Sequence, residues 1–336
     1  MFSLSRVGAA VCAAMMFAAP AQAACQLIQI AELKVELLGN QPVIRSEING
    51  QKVLMLVDTG ATVNSLLTAQ ARRLGIRGVG LDNVTMHGVG GSSGVAEATI
   101  EDFKLGDLPL KNIRMLISGE ADSMGHPDLA GVIGASVFKS FDVDYDISAG
   151  VVRLFQPEDC KPSEVVYWNI DHSLVSMKPI DRDHPRFETE VLLNGRRTRA
   201  VLDTGASTSV VTLLAASQAG VKLNSPDVTP DGTSGGLGAK EVETWIGRFD
   251  TFGIGAETIR NAKLKMADLF QHNTEMQTGS RVAHRVEGLP TMLLGADFFK
   301  SHRVLISSSQ RKIYIAYKGG PVFSLNGPRP QAREDD

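Results

Sequence analysis

Two aspartates, Asp58 and Asp203, each head the same tetrapeptide, Asp-Thr-Gly-Ala, 145 residues apart. Each follows an apolar run, Val53–Val57 before the first and Ala200–Leu202 before the second. Two carboxylates brought within a few ångströms cannot both ionise cheaply. One pKa falls, the other rises, and the pair shares a proton. The charged member can then take a proton from water while the protonated member donates to a carbonyl oxygen. That is general acid–base hydrolysis without a covalent intermediate. One Asp-Thr-Gly reads as an ordinary strand-end turn; two in matched surroundings point to chemistry.

The surroundings match over a long stretch. Asn49-Gly50 and Asn194-Gly195 each precede their Asp by eight to nine positions. Asn-Gly between apolar or alternating runs signals a tight hairpin, because both residues tolerate positive φ. Residues 43–48 are therefore expected to pair with 52–57, and 187–193 with 196–202. A short helix is expected after each Asp-Thr-Gly, over 66–74 and 211–219, closed by Gly75 and Gly220. Further on, Val132-Ile133-Gly134-Ala135 corresponds to Leu293-Leu294-Gly295-Ala296. Two apolar residues followed by Gly read as a buried strand whose end lets another backbone come close. Terminal strands over 151–155 and 312–317 complete two repeats, 26–158 and 186–320. Residues 159–185, with Trp168, read as a linker that adds a strand beneath both. The longer spacing in the second repeat is assigned to the polar stretch 267–287, and 321–336 to a disordered tail.

Hairpin, Asp-Thr-Gly, helix, Gly-rich hairpin and apolar-apolar-Gly, in that order and twice over, resemble the pepsin/retropepsin-like aspartic peptidases. The resemblance covers nearly all of the chain after its first 25 residues. It implies a mostly β, bilobed acid-protease-like fold, with two homologous β-barrel-like lobes that each carry a short helix. It implies that Asp58 and Asp203 form the catalytic pair, and that Thr59 and Thr204 pin the two loops together. Gly60 and Gly205 let each loop turn sharply beside its partner. Ala61 and Ala206 stand where many pepsin-like members have Ser or Thr. Without that hydroxyl donor the charged carboxylate is less favoured, so activity is expected at higher pH than for a pepsin-type enzyme, with an optimum above about pH 4.

His87-Gly88-Val89-Gly90-Gly91 lies where the family places its flap, a mobile hairpin over bound peptide. Gly235 and Gly236 lie in the matching segment of the second half. Two alternatives stay open for these glycines, a plain flexible turn and a phosphate cradle, although the third Gly that a cradle needs is absent. Asp142, Asp144 and Asp146 alternate on one strand face and read as a solvated face rather than a calcium site. Asp297 reads as a structural cap. The seven histidines form no pair with zinc spacing, and no Gly-x-Ser-x-Gly elbow is present. No metal and no cofactor are implied.

The composition suits this picture. The chain has 336 residues, 43% of them hydrophobic and 21% charged, enough for about two domains. A formal charge of -3 and the lack of a basic stripe argue against nucleic acid as a partner. The implied partner is an extended peptide or unfolded protein, and since one chain supplies both aspartates, a monomer suffices. Residues 1–23 read as a bacterial signal peptide: Arg6, an apolar run too short to span a bilayer, and Ala21-Gln22-Ala23. The periplasm or the exterior is the expected location. A second reading makes Cys25 a lipidated N-terminus, although Gln22 departs from that pattern. After the leader two cysteines remain, Cys25 and Cys160, read either as one disulfide or as two free thiols. A rival to the enzyme is a non-catalytic binding module that keeps the bilobed cleft.

Overall fold

The computed structural model describes residues 25–119, 126–162, 164–181, 185–236, 240–269, 275–276, 284–285 and 290–323. The leader over 1–23, most of the stretch 267–287 and the tail from 324 lie outside the described residues. Beside a two-stranded pairing of Glu275–Met276 with His284–Arg285, three larger sheets of the described residues carry the architecture. Two are lobes, one from each repeat, and the third lies beneath both.

In the N-terminal lobe, Gln41–Ile48 and Gln51–Asp58 form an antiparallel hairpin with Val43 opposite Leu56 and Ile48 opposite Gln51. Asn49 and Gly50 turn it with φ of 48° and 78°, as a turn matching the right-handed strand twist requires. The second repeat copies this in Glu188–Leu193 and Arg196–Leu202, with Asn194 and Gly195 at 48° and 75°. The outer strands pair back onto Gly91–Leu105 in one lobe and Val242–Ile254 in the other, giving each sheet a barrel-like closure. The inner strand of each hairpin runs parallel to the apolar-apolar-Gly strand, Leu129–Gly134 or Met292–Leu294. That strand presses against the loop after Asp-Thr-Gly. A Cβ on Gly134 would lie 2.5 Å from the Val63 carbonyl oxygen, and one on Gly295 2.5 Å from the Thr208 carbonyl carbon. Only glycine allows the approach.

Each post-loop segment is first a strand and then a helix. Ser65–Leu67 leads into Thr68–Arg73, and Val210–Thr212 into Leu213–Gln218. The helices are shorter than the expected spans because their first residues pair in parallel with Leu108–Ser118 and Glu257–Ala267. Gly75 and Gly220 close them in the left-handed region, at φ of 70° and 88°.

The sheet beneath the lobes has six antiparallel strands in the order Gln26–Lys34, Val151–Glu158, Asp142–Asp146, His302–Ser307, Lys312–Tyr317 and Ser173–Ser176. Its centre is the pairing of Asp142–Asp146 with His302–Ser307, one strand from each repeat. Phe138 and Phe299, equivalent residues of the two lobes, stack edge-on against Tyr145 at 6.0 and 5.7 Å, so one apolar core runs through both lobes. The linker packs Val165 and Trp168 onto Leu305 and Tyr314. Cys25 and Cys160 are joined in a disulfide that ties the first strand to the linker.

Two sequence expectations need correction here. Asp142, Asp144 and Asp146 do not form a solvated face: all three are buried. Their strand is paired on both sides, so they can stay only with partners. Asp142 accepts from Ser307 and Ser309, Asp144 holds the Arg303 guanidinium, and Asp146 pairs with Lys318. The segment after Gly320 begins docked rather than free, with the Phe323 ring 5.0 Å from that of Phe252.

Candidate active site

The two Asp-Thr-Gly loops meet where the lobes face each other, and four bonds between them fix the meeting. Thr59 Oγ1 donates to the Leu202 carbonyl at 2.7 Å and accepts from Thr204 N–H at 3.0 Å. Thr204 Oγ1 donates to the Val57 carbonyl at 2.6 Å and accepts from Thr59 N–H at 3.1 Å. Both threonines are fully buried, so each bond satisfies a group that water cannot reach.

The carboxylates are aimed by their own loops. Asp58 Oδ1 accepts from the Gly60 and Ala61 N–H groups, both at 2.9 Å. Asp203 Oδ1 accepts from Gly205 and Ala206, both at 3.0 Å. Each Asp also crosses to the other loop. A Cβ on Gly60 would lie 2.3 Å from Asp203 Cγ, and one on Gly205 2.2 Å from Asp58 Cγ. The missing side chains are what let the two carboxyl groups come into hydrogen-bond contact. Burial pushes the Asp203 carboxyl well above the usual range, and the neighbouring Asp58 charge pushes it further. Burial raises Asp58 too, but N–H groups of Ala61 and Gly60 and the bond from Asp203 favour its charged form. The close approach and the raised carboxyl suit one proton shared between the two carboxylates. Ala61 and Ala206 contribute backbone N–H only.

Above the pair, Val79–Gly88 and Gly91–Leu105 form a hairpin with Gly88 opposite Gly91. His87 Nδ1 meets Ser92 Oγ at 2.8 Å just below its tip. Its tip reaches the other lobe: Val89 packs against a cluster of Val210, Val242, Ala267 and Leu269, and Gly90 O accepts from Lys240 N–H at 3.1 Å. Gly236 lies beside Val89, where a Cβ would come within 3.2 Å of the valine Cβ, and Gly235 has open space around it. The two Gly-rich segments thus meet across the cleft.

The family described as aspartyl protease matches residues 44–137 and again residues 189–298, together more than half of the chain. The chain belongs to the aspartyl protease family. Each match covers one lobe and one Asp-Thr-Gly-Ala, so the family unit is present twice. Among solved structures the chain is similar to a retropepsin-like aspartic protease from Rickettsia conorii, at 17% identity over 40% of this chain and 95% of that one, with a TM-score of 0.28. No curated protein matches it. No helix among the described residues is long and apolar enough to cross a membrane.

Other residues of the site have no motif to announce them. Asn64 Oδ1 accepts from Gly134 N–H at 3.0 Å and from Ser136 Oγ at 3.2 Å. In the other lobe Ser209 Oγ accepts from Gly295 N–H and donates to Asp297 at 2.7 Å. Asp297 also accepts from the Ser209 and Phe298 N–H groups, which makes it a buried cap. Asn40 Nδ2 donates to the Ser207 carbonyl at 3.1 Å, and Gln41 Nε2 to the Gly205 carbonyl, so the N-terminal lobe grips the opposite loop. Extending the 145-residue offset beyond the tetrapeptides brings out these positions, because it sets Asn64 against Ser209 and Gln41 against Arg186.

Proposed function

We propose that the protein is an aspartic endopeptidase in which Asp58 and Asp203 together activate water against a peptide carbonyl. The observation that carries this is the close approach of the two carboxyl groups over Gly60 and Gly205, with both loops locked by Thr59 and Thr204. Charged Asp58 takes a proton from water as it attacks, and Asp203 gives its proton to the carbonyl oxygen. The tetrahedral species then collapses, and the pair returns a proton to the leaving amine. The substrate is an extended peptide or unfolded protein lying between the Asp-Thr-Gly loops and the hairpin tips, paired to them by backbone hydrogen bonds once the tips part. The hairpin at His87–Gly91 and the segment at Gly235-Gly236 are its flaps, which must part to admit it. Residues 1–23 export the chain to the periplasm or beyond, and one copy is sufficient for activity.

The test is peptide hydrolysis by wild type, Asp58→Asn and Asp203→Asn, with and without a statine-type transition-state analogue. Each substitution should lower kcat by about a thousandfold or more while the far-UV spectrum and thermal transition persist. Full turnover in either variant would sink the shared-proton mechanism.

A further inference from the structure

Residues 145 apart occupy matching places in the two lobes, and Gln41 and Arg186 are such a pair. The register that sets Val43 opposite Leu56 continues to put Gln41 opposite Asp58. The register that sets Glu188 opposite Val201 continues to put Arg186 opposite Asp203. Directly opposed residues of an antiparallel pair share a face. Each polar side chain therefore stands on the same face as the aspartate of its own lobe.

On the N-terminal side the role of this position is visible. Gln41 donates across the lobe boundary to the Gly205 carbonyl, and Asn40, itself held by Lys300 Nζ at 2.9 Å, donates to the Ser207 carbonyl. On the C-terminal side the dipeptide is Pro185-Arg186, and proline has no side-chain donor. Arg186 is partly buried, yet it makes no hydrogen bond or ion pair with any described residue. The loop residues that this dipeptide faces by symmetry, Gly60-Ala61-Thr62, include no acidic side chain to receive it. A guanidinium is permanently charged, with five donors in a planar fork that fits a carboxylate. Partly buried beside the cleft and without a partner among the described residues, it gains most from an anion that arrives with the ligand.

We propose that Arg186 is a specificity-determining residue that receives a carboxylate of the substrate. Since Arg186 stands on the same face as Asp203, that carboxylate belongs within about three residues of the scissile bond. It comes from a Glu or Asp side chain or from a free chain end. The proposal rests on the peptidase reading for the identity of its ligand.

Peptides carrying one Glu, or Gln or Lys in its place, at each of three positions on either side of the scissile bond test this. Each is made with a free or an amidated C-terminus, and kcat/KM is measured for wild type, Arg186→Gln and Arg186→Glu. Wild type should favour Glu over Gln about tenfold at one position, or free acid over amide if the chain end is the ligand, with the gain in KM. The ratio should fall to about one in Arg186→Gln, and Arg186→Glu should prefer Lys at that position. A purely structural Arg186 would lower both rates together and leave the ratio intact. Ratios within about twofold everywhere in wild type, or a ratio retained in Arg186→Gln, would overturn the proposal. If wild type cleaves none of the peptides, the peptidase reading fails, and calorimetric binding of the same peptides decides this one. A Glu or free-acid preference lost in Arg186→Gln sustains it, whereas equal or undetectable binding overturns it.

Discussion

The two lobes are copies of one design that agree closely at the chemistry and diverge around it. Asp, Thr, Gly and Ala match at every position of the central loops, and their bonds match to within about 0.1 Å. One shell out, the same tasks fall to different residues. The glycine N–H after each buried strand is received by the Asn64 amide in one lobe and by the Ser209 hydroxyl, backed by Asp297, in the other. The strap across the lobe boundary is Asn40-Gln41 on one side and Pro185-Arg186 on the other. The helix after the loop has a Thr212 side-chain cap in one lobe and an uncapped Leu67 in the other. What stays fixed is what touches the shared proton, while what holds the loops needs only to supply a bond of the right polarity.

Substitutions at equivalent positions distinguish what the two lobes share from what they do not. Gly60→Ala and Gly205→Ala should be equally severe, each lowering kcat/KM by about a hundredfold or more, because either Cβ drives the opposite aspartate from its place. A mild effect at one position would mean that the loops are not equivalent. At the supports the lobes should differ. Asp297→Ala, which strands two buried N–H groups and a hydroxyl, should destabilise by about 3 kcal/mol in denaturant melts. Ser136→Ala, which loses one bond to Asn64, should destabilise by about 1 kcal/mol.

The aspartates themselves should differ with pH. The Asp203 carboxyl is raised above its unfolded value, so folding favours its protonated form. Its contribution to stability is full at pH below the unfolded carboxyl range, and falls as pH rises from there through the folded value. Asp203→Asn removes that loss. Its melting temperature should match wild type near pH 3 and exceed it increasingly toward pH 7, and a constant difference would contradict the assignment. Hydrolysis should fail on the alkaline side when Asp203 loses its proton, and that limb should lie above the ordinary carboxyl range. The smallest effect concerns the helices. Thr212→Ala should cost about 1 kcal/mol in denaturant melts through loss of its bond to the Ala215 N–H.

Much of this was legible in the chain because a repeat tests itself. Asn-Gly dictated both hairpins and their register, since few residues besides these adopt both positive φ angles. Apolar-apolar-Gly announced a close backbone approach, and Gly134 and Gly295 show it. Alternation along 142–146 gave the correct face but not its surroundings. Whether such a face meets water depends on pairing with residues 302–307, a contact too remote in sequence for local pattern to reveal. The helix starts were misread for a related reason, because Leu66 and Val211 satisfy their backbone groups on a distant strand. Asn40, Gln41 and Arg186 escaped notice because a polar residue near a turn usually needs no explanation.

The sheet beneath the lobes also governs how the molecule comes apart. Its two central strands are donated one by each half, and the disulfide staples its rim to the linker. Neither half owns a complete foundation, so the lobes are not beads on a string that could melt in turn. A shared foundation predicts a single unfolding transition, coincident by fluorescence and far-UV signal, and an assembly that waits on contacts about 160 residues apart, the slow kind for any polypeptide.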